Sequence, residues 1–431
     1  MGVKKYTVLL FFLIIAGFLS AQENAVRILT LEEACELAEK NSIALQKQAI
    51  DLHMDRSRAR SLWAQLFPSI TASGSASYSI PLNSTVTVPE HGYSATVRLS
   101  LGLSAGLPFS MANISMAYKN SLLNYEQARR MIINQTSKAF FSIIAQNERL
   151  VFLEGAMRLA LEQLERDRIA RQSGYVGELD YLSAQVSAER AKLSYNRALA
   201  DYQNAMGKFL FALGISGGET VKLEGKPEIA KLSLDPDALI TERLYKRPDL
   251  VAQQNEIKRL RNTRTDSYLS NIGPSVNFSA TWGASKKSGL DELIGVGISV
   301  SIPVDSWIPG TRGALAMKSA NANYRKALLD MQDMENNARQ EIRSFTASID
   351  NTWTEVEISR LQASLAQRAY ELAEQAYRRG TMNFLDFETT RNRLSDAQQQ
   401  QLQSELNYKI LVLDLASSLN MDEEELIKYS K

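Results

Sequence analysis

Thiols and imidazoles are almost missing from this chain, which has a single cysteine, Cys35, and two histidines, His53 and His91. A lone thiol builds neither a disulfide framework nor a thiolate metal site within one chain, and no cofactor is expected. An excess of either charge is lacking as well. The 49 Lys and Arg residues are interspersed with 48 Asp and Glu, which gives no basic surface for nucleic acid. Past residue 21 no apolar run approaches the roughly 20 residues of a membrane helix, so a role in a membrane would fall to strands. Proline is absent from residues 109–226 and 310–431, all ten prolines lying outside these windows. Because proline removes a hydrogen bond and clashes inside a helix, the two windows are read as long helices.

The chain starts with Lys4 and Lys5, an apolar run from Val8 to Leu19, and Ser20-Ala21-Gln22. Residues 1–21 therefore read as a secretory leader cut after Ala21, with an N-terminal membrane anchor as the alternative. Loss of the two lysines takes the formal charge from +1 to −1.

The remainder repeats itself. Phe67-Pro68-Ser69-Ile70 returns as Gly273-Pro274-Ser275-Val276, and Leu179-Asp180-Tyr181 returns as Leu385-Asp386-Phe387, both at an offset of 206 residues. Arg171-Gln172-Ser173-Gly174 and Arg378-Arg379-Gly380-Thr381 mark matching breaks. Two copies of one unit are expected, 22–235 and 236–431, each a helix, a β-hairpin and two long helices. The long helices are placed at Ala112 to Gln172, Leu179 to Leu213, Ala314 to Arg378 and Phe384 to Leu419. Ile342, Phe345, Ile349, Trp353 and Val356 step by three and four, as a coiled-coil seam does, and the phase shifts at Leu361 and Leu365. So thin an apolar stripe requires neighbouring helices, within the chain and beyond it.

Strict alternation predicts membrane strands at about 69–80, 93–107, 275–285 and 293–303: Ile70, Ala72 and Gly74 against Thr71, Ser73 and Ser75, or Val296, Ile298 and Val300 against Gly297 and Ser299. One face is apolar and the other is Ser, Thr and Gly. The runs suit a tilted membrane strand, and residues 81–92 and 285–292 would be exterior loops. A soluble sandwich is the competing fold. If the strands lie in hydrocarbon, four are too few to close a pore and several chains must pool them.

In this order and spacing, Tyr245-Lys246-Arg247-Pro248-Asp249-Leu250, Pro68-Ser69, Pro274-Ser275 and Tyr377-Arg378-Arg379-Gly380-Thr381 with Phe384-Leu385-Asp386 resemble the TolC-type outer-membrane efflux and secretion duct family. The resemblance implies a mainly α protein with membrane β: a homotrimer whose protomers each give four strands to a twelve-stranded barrel among outer-membrane lipid, and whose long helices form a periplasmic α-barrel. It implies a passive duct, not an enzyme, served by a periplasmic adaptor and an inner-membrane pump of RND or ABC type, in tripartite efflux or type I secretion. Gly174, Tyr175, Gly380 and Thr381 become adaptor-docking positions. Asp386 and Asp180 become periplasmic gate carboxylates; Met382 and Thr389 stand where the family has its locking arginine and a second acidic ring, and Glu388, Arg378 or Arg379 are the candidates to substitute for them. The stretch 217–237 becomes part of an equatorial region. A trimeric coiled-coil structural protein or adhesin of the envelope is the alternative at this level.

Overall fold

The computed structural model describes residues 27–79, 90–215, 221–225, 228–286 and 290–430. The expected leader lies outside them. Strand β1 (Arg27–Leu29) leads into α1 (Leu31–Asn41) and α2 (Ile43–Arg60), then hairpin β2 (Ser69–Ser79) and β3 (Glu90–Ser104). Two helices follow, α3 (Leu107–Gln172) and α4 (Glu178–Ala212). After β4 (Val221–Leu223) the plan recurs as α5 (Pro236–Arg243), α6 (Pro248–Ile272), hairpin β5 (Ser275–Lys286) and β6 (Leu290–Ser301), then α7 (Arg312–Arg378), α8 (Phe384–Ser418) and the short α9 (Glu423–Ile427).

Two boundaries move for a clear reason. Helix α3 starts at Leu107, five residues before the expected Ala112, because Pro108 fits a first helical turn, where no N–H is needed. That helix takes the end expected for the second strand, which runs 90–104 and not 93–107. The fourth strand runs 290–301 and not 293–303, its end falling just before Pro303, which cannot donate to a ladder. The strands thus extend into both expected exterior loops, whose central residues 80–89 and 287–289 lie outside the described part.

The sheet order is β2-β3-β5-β6, antiparallel throughout, with β2 and β6 as its edges. Register rows show the alternation continuing across all four strands: Ala72, Val97, Trp282 and Ile294 share one row, and Ile70, Leu99, Ala280 and Val296 the next on that face. The opposite face carries hydroxyl pairs across strands, Ser69 with Ser100 at 2.8 Å, Ser75 with Ser94 at 2.7 Å and Ser275 with Ser301 at 2.8 Å. Among the described residues no helix covers the apolar face, and Val296 is 80% exposed. This disposes of the soluble sandwich.

Helices α3 and α7, of 66 and 67 residues, are each about 100 Å long at 1.5 Å per residue. They run from the sheet to the turns at residues 173–177 and 379–383. Helices α4 and α8 return only partway, and α1–α2 and α5–α6 occupy the remaining length beside the same long helices. At the waist where the short helices meet, Asn41 Nδ2 donates to the Leu213 carbonyl at 2.6 Å. Both apolar cores sit there: one joins Leu29, Ala38, Phe140, Ile143, Phe209 and Leu213, the other Leu239, Leu250, Ile342, Ile349, Tyr408 and Leu415. The linker is strapped over the second core, with Leu232 and Leu234 buried, the Leu232 N–H donating to Tyr408 Oη at 3.1 Å, and Tyr408 Oη donating to the Ala230 carbonyl at 2.7 Å. β4 pairs in parallel with β1. Its described residues therefore form a girdle and not a tether.

Candidate functional site: the paired helical turns

Each hairpin of long helices ends in the same turn. Gly174 (φ +75°) and Gly380 (φ +73°) follow the helix ends in the left-handed region. In the first turn the N–H of Gly174 donates to the Arg171 carbonyl and that of Tyr175 to Ala170; in the second, Gly380 donates to Tyr377 and Thr381 to Ala376, all within 2.9–3.0 Å. This is the double-bonded C-cap that glycine permits without a Cβ penalty. An added Cβ would meet nothing within 4 Å at either glycine, so space lies open beside both turns. Tyr175 is 88% exposed, and Leu179 and Leu385, at equivalent positions in the two copies, are also exposed.

The turns are pinned by different chemistry at equivalent positions. In the second copy Tyr377 stacks on Phe387 with centroids 4.9 Å apart and lies 6.3 Å from Phe384. In the first, Arg171 holds its guanidinium 4.6 Å above the Tyr181 ring and pairs with Glu178 at 2.9 Å. These are the same two pairs of positions, shifted by 206 residues, with a cation–π contact and an ion pair replacing two aromatic contacts.

The predicted carboxylates separate. Asp386 is exposed in the first turn of α8, where Asn383 Oδ1 accepts from its N–H at 2.8 Å and Asn383 Nδ2 donates to its carboxylate at 2.9 Å. Asp180 is exposed in the first turn of α4. Glu388 is different: it is largely covered, accepts from Ser187 Oγ of α4, and pairs with Arg391 at 3.5 Å, while Arg391 also donates to Ser187 at 3.1 Å. It belongs to a joint between α4 and α8 and does not stand free with Asp386.

A second joint escaped the sequence reading. Gln163 and Asp167 of α3 are both nearly inaccessible. Gln163 Nε2 donates to Asp167 Oδ1 at 2.8 Å and to Tyr377 Oη of α7 at 2.7 Å, and Arg166 donates to Gln163 Oε1 at 3.1 Å. Asp167 Oδ2 is buried with no partner. Burial pushes the Asp167 carboxyl above its ordinary range, the Gln163 bond and Arg166 pull partly back, and Asp180 adds to the rise. Interior polar residues of a long amphipathic helix give no signal of their own; only the unusual aromatic position of Tyr377 could have pointed here.

Among the described residues no group of His, Cys, Asp and Glu could hold a metal, and no helix is long and apolar enough to cross a membrane. An amphipathic four-stranded sheet carried on helical hairpins about 100 Å long, with both lateral edges unpartnered, is the protomer of an envelope-spanning channel. The family model "Outer membrane efflux protein" matches residues 34–214 and 239–421, and the chain belongs to that family. It is an outer-membrane efflux protein. Over 413 residues it is 24% identical to the probable efflux pump outer membrane protein TtgC of Pseudomonas putida, which spans 88% of this chain and 82% of that protein, and equally so to the antibiotic efflux pump outer membrane protein ArpC of the same species. Among solved structures its fold is similar to the CmeC outer membrane channel of Campylobacter jejuni, with a TM-score of 0.77, 18% identity and coverage of 94% of this chain and 89% of that one. It is also similar to VceC of Vibrio cholerae, with a TM-score of 0.72, 16% identity and coverage of 91% and 96%.

Proposed function

We propose that three copies of this chain close side by side into one tube, a twelve-stranded barrel continuous with a helical cylinder, which serves as the exit duct of a tripartite pump. One observation carries the reading. Below the waist the helices are ordered α4-α3-α8-α7, and the two outermost each leave an apolar stripe uncovered. Leu179, Leu182, Val186 and Leu193 on α4 repeat the spacing of Ile358, Leu361, Leu365 and Leu372 on α7, and all eight are roughly half exposed or more. Two different edges of one protomer, each with a heptad-like stripe, suit a head-to-tail ring. The unpaired strand edges β2 and β6 ask for the same closure.

In this reading a periplasmic adaptor docks on the open turns at Gly174, Tyr175, Gly380 and Thr381, and an inner-membrane pump of RND or ABC type supplies the energy. Asp386 lines the entrance as an acidic ring, with Asp180 at the equivalent position of the first copy, while Glu388 acts from within its joint. The two buried joints stand in for the locking arginine that Met382 replaces. Detergent-purified protein should sediment as a trimer and give a conductance in planar bilayers, whereas a stable, monodisperse monomer would defeat the reading.

A further inference from the structure

The face of the sheet opposite the apolar one is hydroxyl-rich and carries one basic residue. Arg98 lies in the row Thr71, Arg98, Thr281, Gly295. The rows on either side of it are Ser69, Ser100, Ser279, Gly297 and Ser73, Thr96, Gly283, Leu293. None of these neighbours is acidic. The side chain is exposed, and among the described residues it has no hydrogen-bond or ion-pair partner. The nearest acidic position in register on this face is Asp291, four residues further out and two strands over. At about 3.4 Å per residue and about 4.8 Å per strand that is roughly 17 Å away, beyond the Debye length of about 8 Å at physiological ionic strength.

Its sequence neighbours Val97 and Leu99 point to the lipid-facing side, so alternation turns Arg98 inward. The opposite choice would place a guanidinium in hydrocarbon at a cost of about 2 to 4 kcal/mol. Arg98 also stands about 20 Å along its strand from Ser104, well inside the barrel wall. We infer that Arg98, repeated three times around the lumen, forms a cationic girdle that holds anionic solutes at the outer end of the duct. The inference rests on the proposed trimeric pore. The girdle is opposite in sign to the entrance carboxylates, so the two ends of one conduit select differently: cations concentrate at the helical turns and multivalent anions pause in the barrel. A guanidinium is suited to this because it is a delocalised, weakly hydrated cation that attracts sulfate and phosphate oxygens.

Sulfated β-cyclodextrin added to the hairpin side of a planar bilayer should block the open wild-type channel in a voltage-dependent way. R98Q should weaken that block roughly tenfold or more, and R98K should keep most of it, since charge rather than fork geometry dominates with a polyanion. Trimer formation in detergent is checked for each variant. As an independent readout, R98C in a Cys35→Ser background should react with water-soluble methanethiosulfonates; a cationic reagent should restore block and an anionic one should not. Equal block in wild type and R98Q, or an R98C thiol that fails to react in the open channel, would overturn the girdle. Wild-type protein without any conductance would sink the pore reading, and the girdle with it.

Discussion

Asp386 and Asp167 are both carboxylates near the turns, yet their surroundings assign them opposite behaviour. Asp386 is solvated and tied only to its helix cap, so Asp386→Asn should reduce cation preference and polyvalent-cation block from the periplasmic side. It should change stability by only about 0.3 to 1 kcal/mol, the range of a first-turn charge on a helix dipole. Altered melting with unaltered selectivity would show it to be a helix-end residue only. Asp167 is buried, with its carboxyl raised above the ordinary range. Its protonated form is the one the fold favours, so the joint contributes most below the unfolded-state value near about 3.9 and loses strength as pH rises through the raised folded value. Besides Gln163, the groups facing it are Arg166, Asp180 and Tyr377. Hydrogen exchange in the turn peptides should quicken from acid to neutral pH in the wild type, after correction for intrinsic rates, and the slope should flatten in Asp167→Asn. A wild-type slope of the other sign would refute this. Alanine at Gly174 or Gly380 meets no atom, so its cost is backbone strain alone, about 1 to 2 kcal/mol, measurable as easier proteolysis at the turn.

At the scale of elements, the change of phase along α7 acquires a physical meaning. Ile342, Ile349 and Val356 are almost wholly buried against α8 and the waist, whereas Ile358, Leu361, Leu365 and Leu372 face outward. Past the phase shift α7 stays packed on α8 through the small residues Ser359, Ala363 and Ala373, and its large apolar side chains turn to the face where a neighbour is expected. Leu361→Glu with Leu365→Glu should therefore lower the trimer fraction in detergent while leaving the far-ultraviolet dichroism of the protomer intact. Each leucine stripe position is worth about 1.5 to 3 kcal/mol when covered. A variant that unfolds instead would place these leucines in the protomer's own core. The strand and helix elements were legible because proline exclusion, period two and the 206-residue echo all operate within short windows. Their ends were less so: the three-residue shift of β3 followed from Pro108 opening a helix rather than ending a strand.

For the whole molecule, the orientation of a duct fixes which end meets which compartment. Cysteines at Ser84 and Ser288, each in Cys35→Ser protein, should label on intact cells with an impermeant reagent, and one at Ser173 should not. The described strand ends Ser79, Glu90, Lys286 and Leu290 lie at the end of the sheet remote from the helices, while Ser173 follows the end of α3, about 100 Å along that helix from the other end of the sheet. The reverse pattern would invert the molecule in the membrane.

What the sequence determined by itself was everything carried by periodicity: the duplication, the long proline-free helices, and the strands with one apolar and one hydroxyl face. These are local or repeated patterns, and backbone geometry converts them directly into faces. Only the tertiary structure decided which polar residues meet. Gln163 finds Tyr377 across 214 residues, and Ser187 finds Glu388 across 201. A buried hydrogen bond between distant residues leaves no periodic trace, because it depends on how two long helices are rotated about their axes. That rotation is set by the sum of packing along their whole length, not by the residues at the joint.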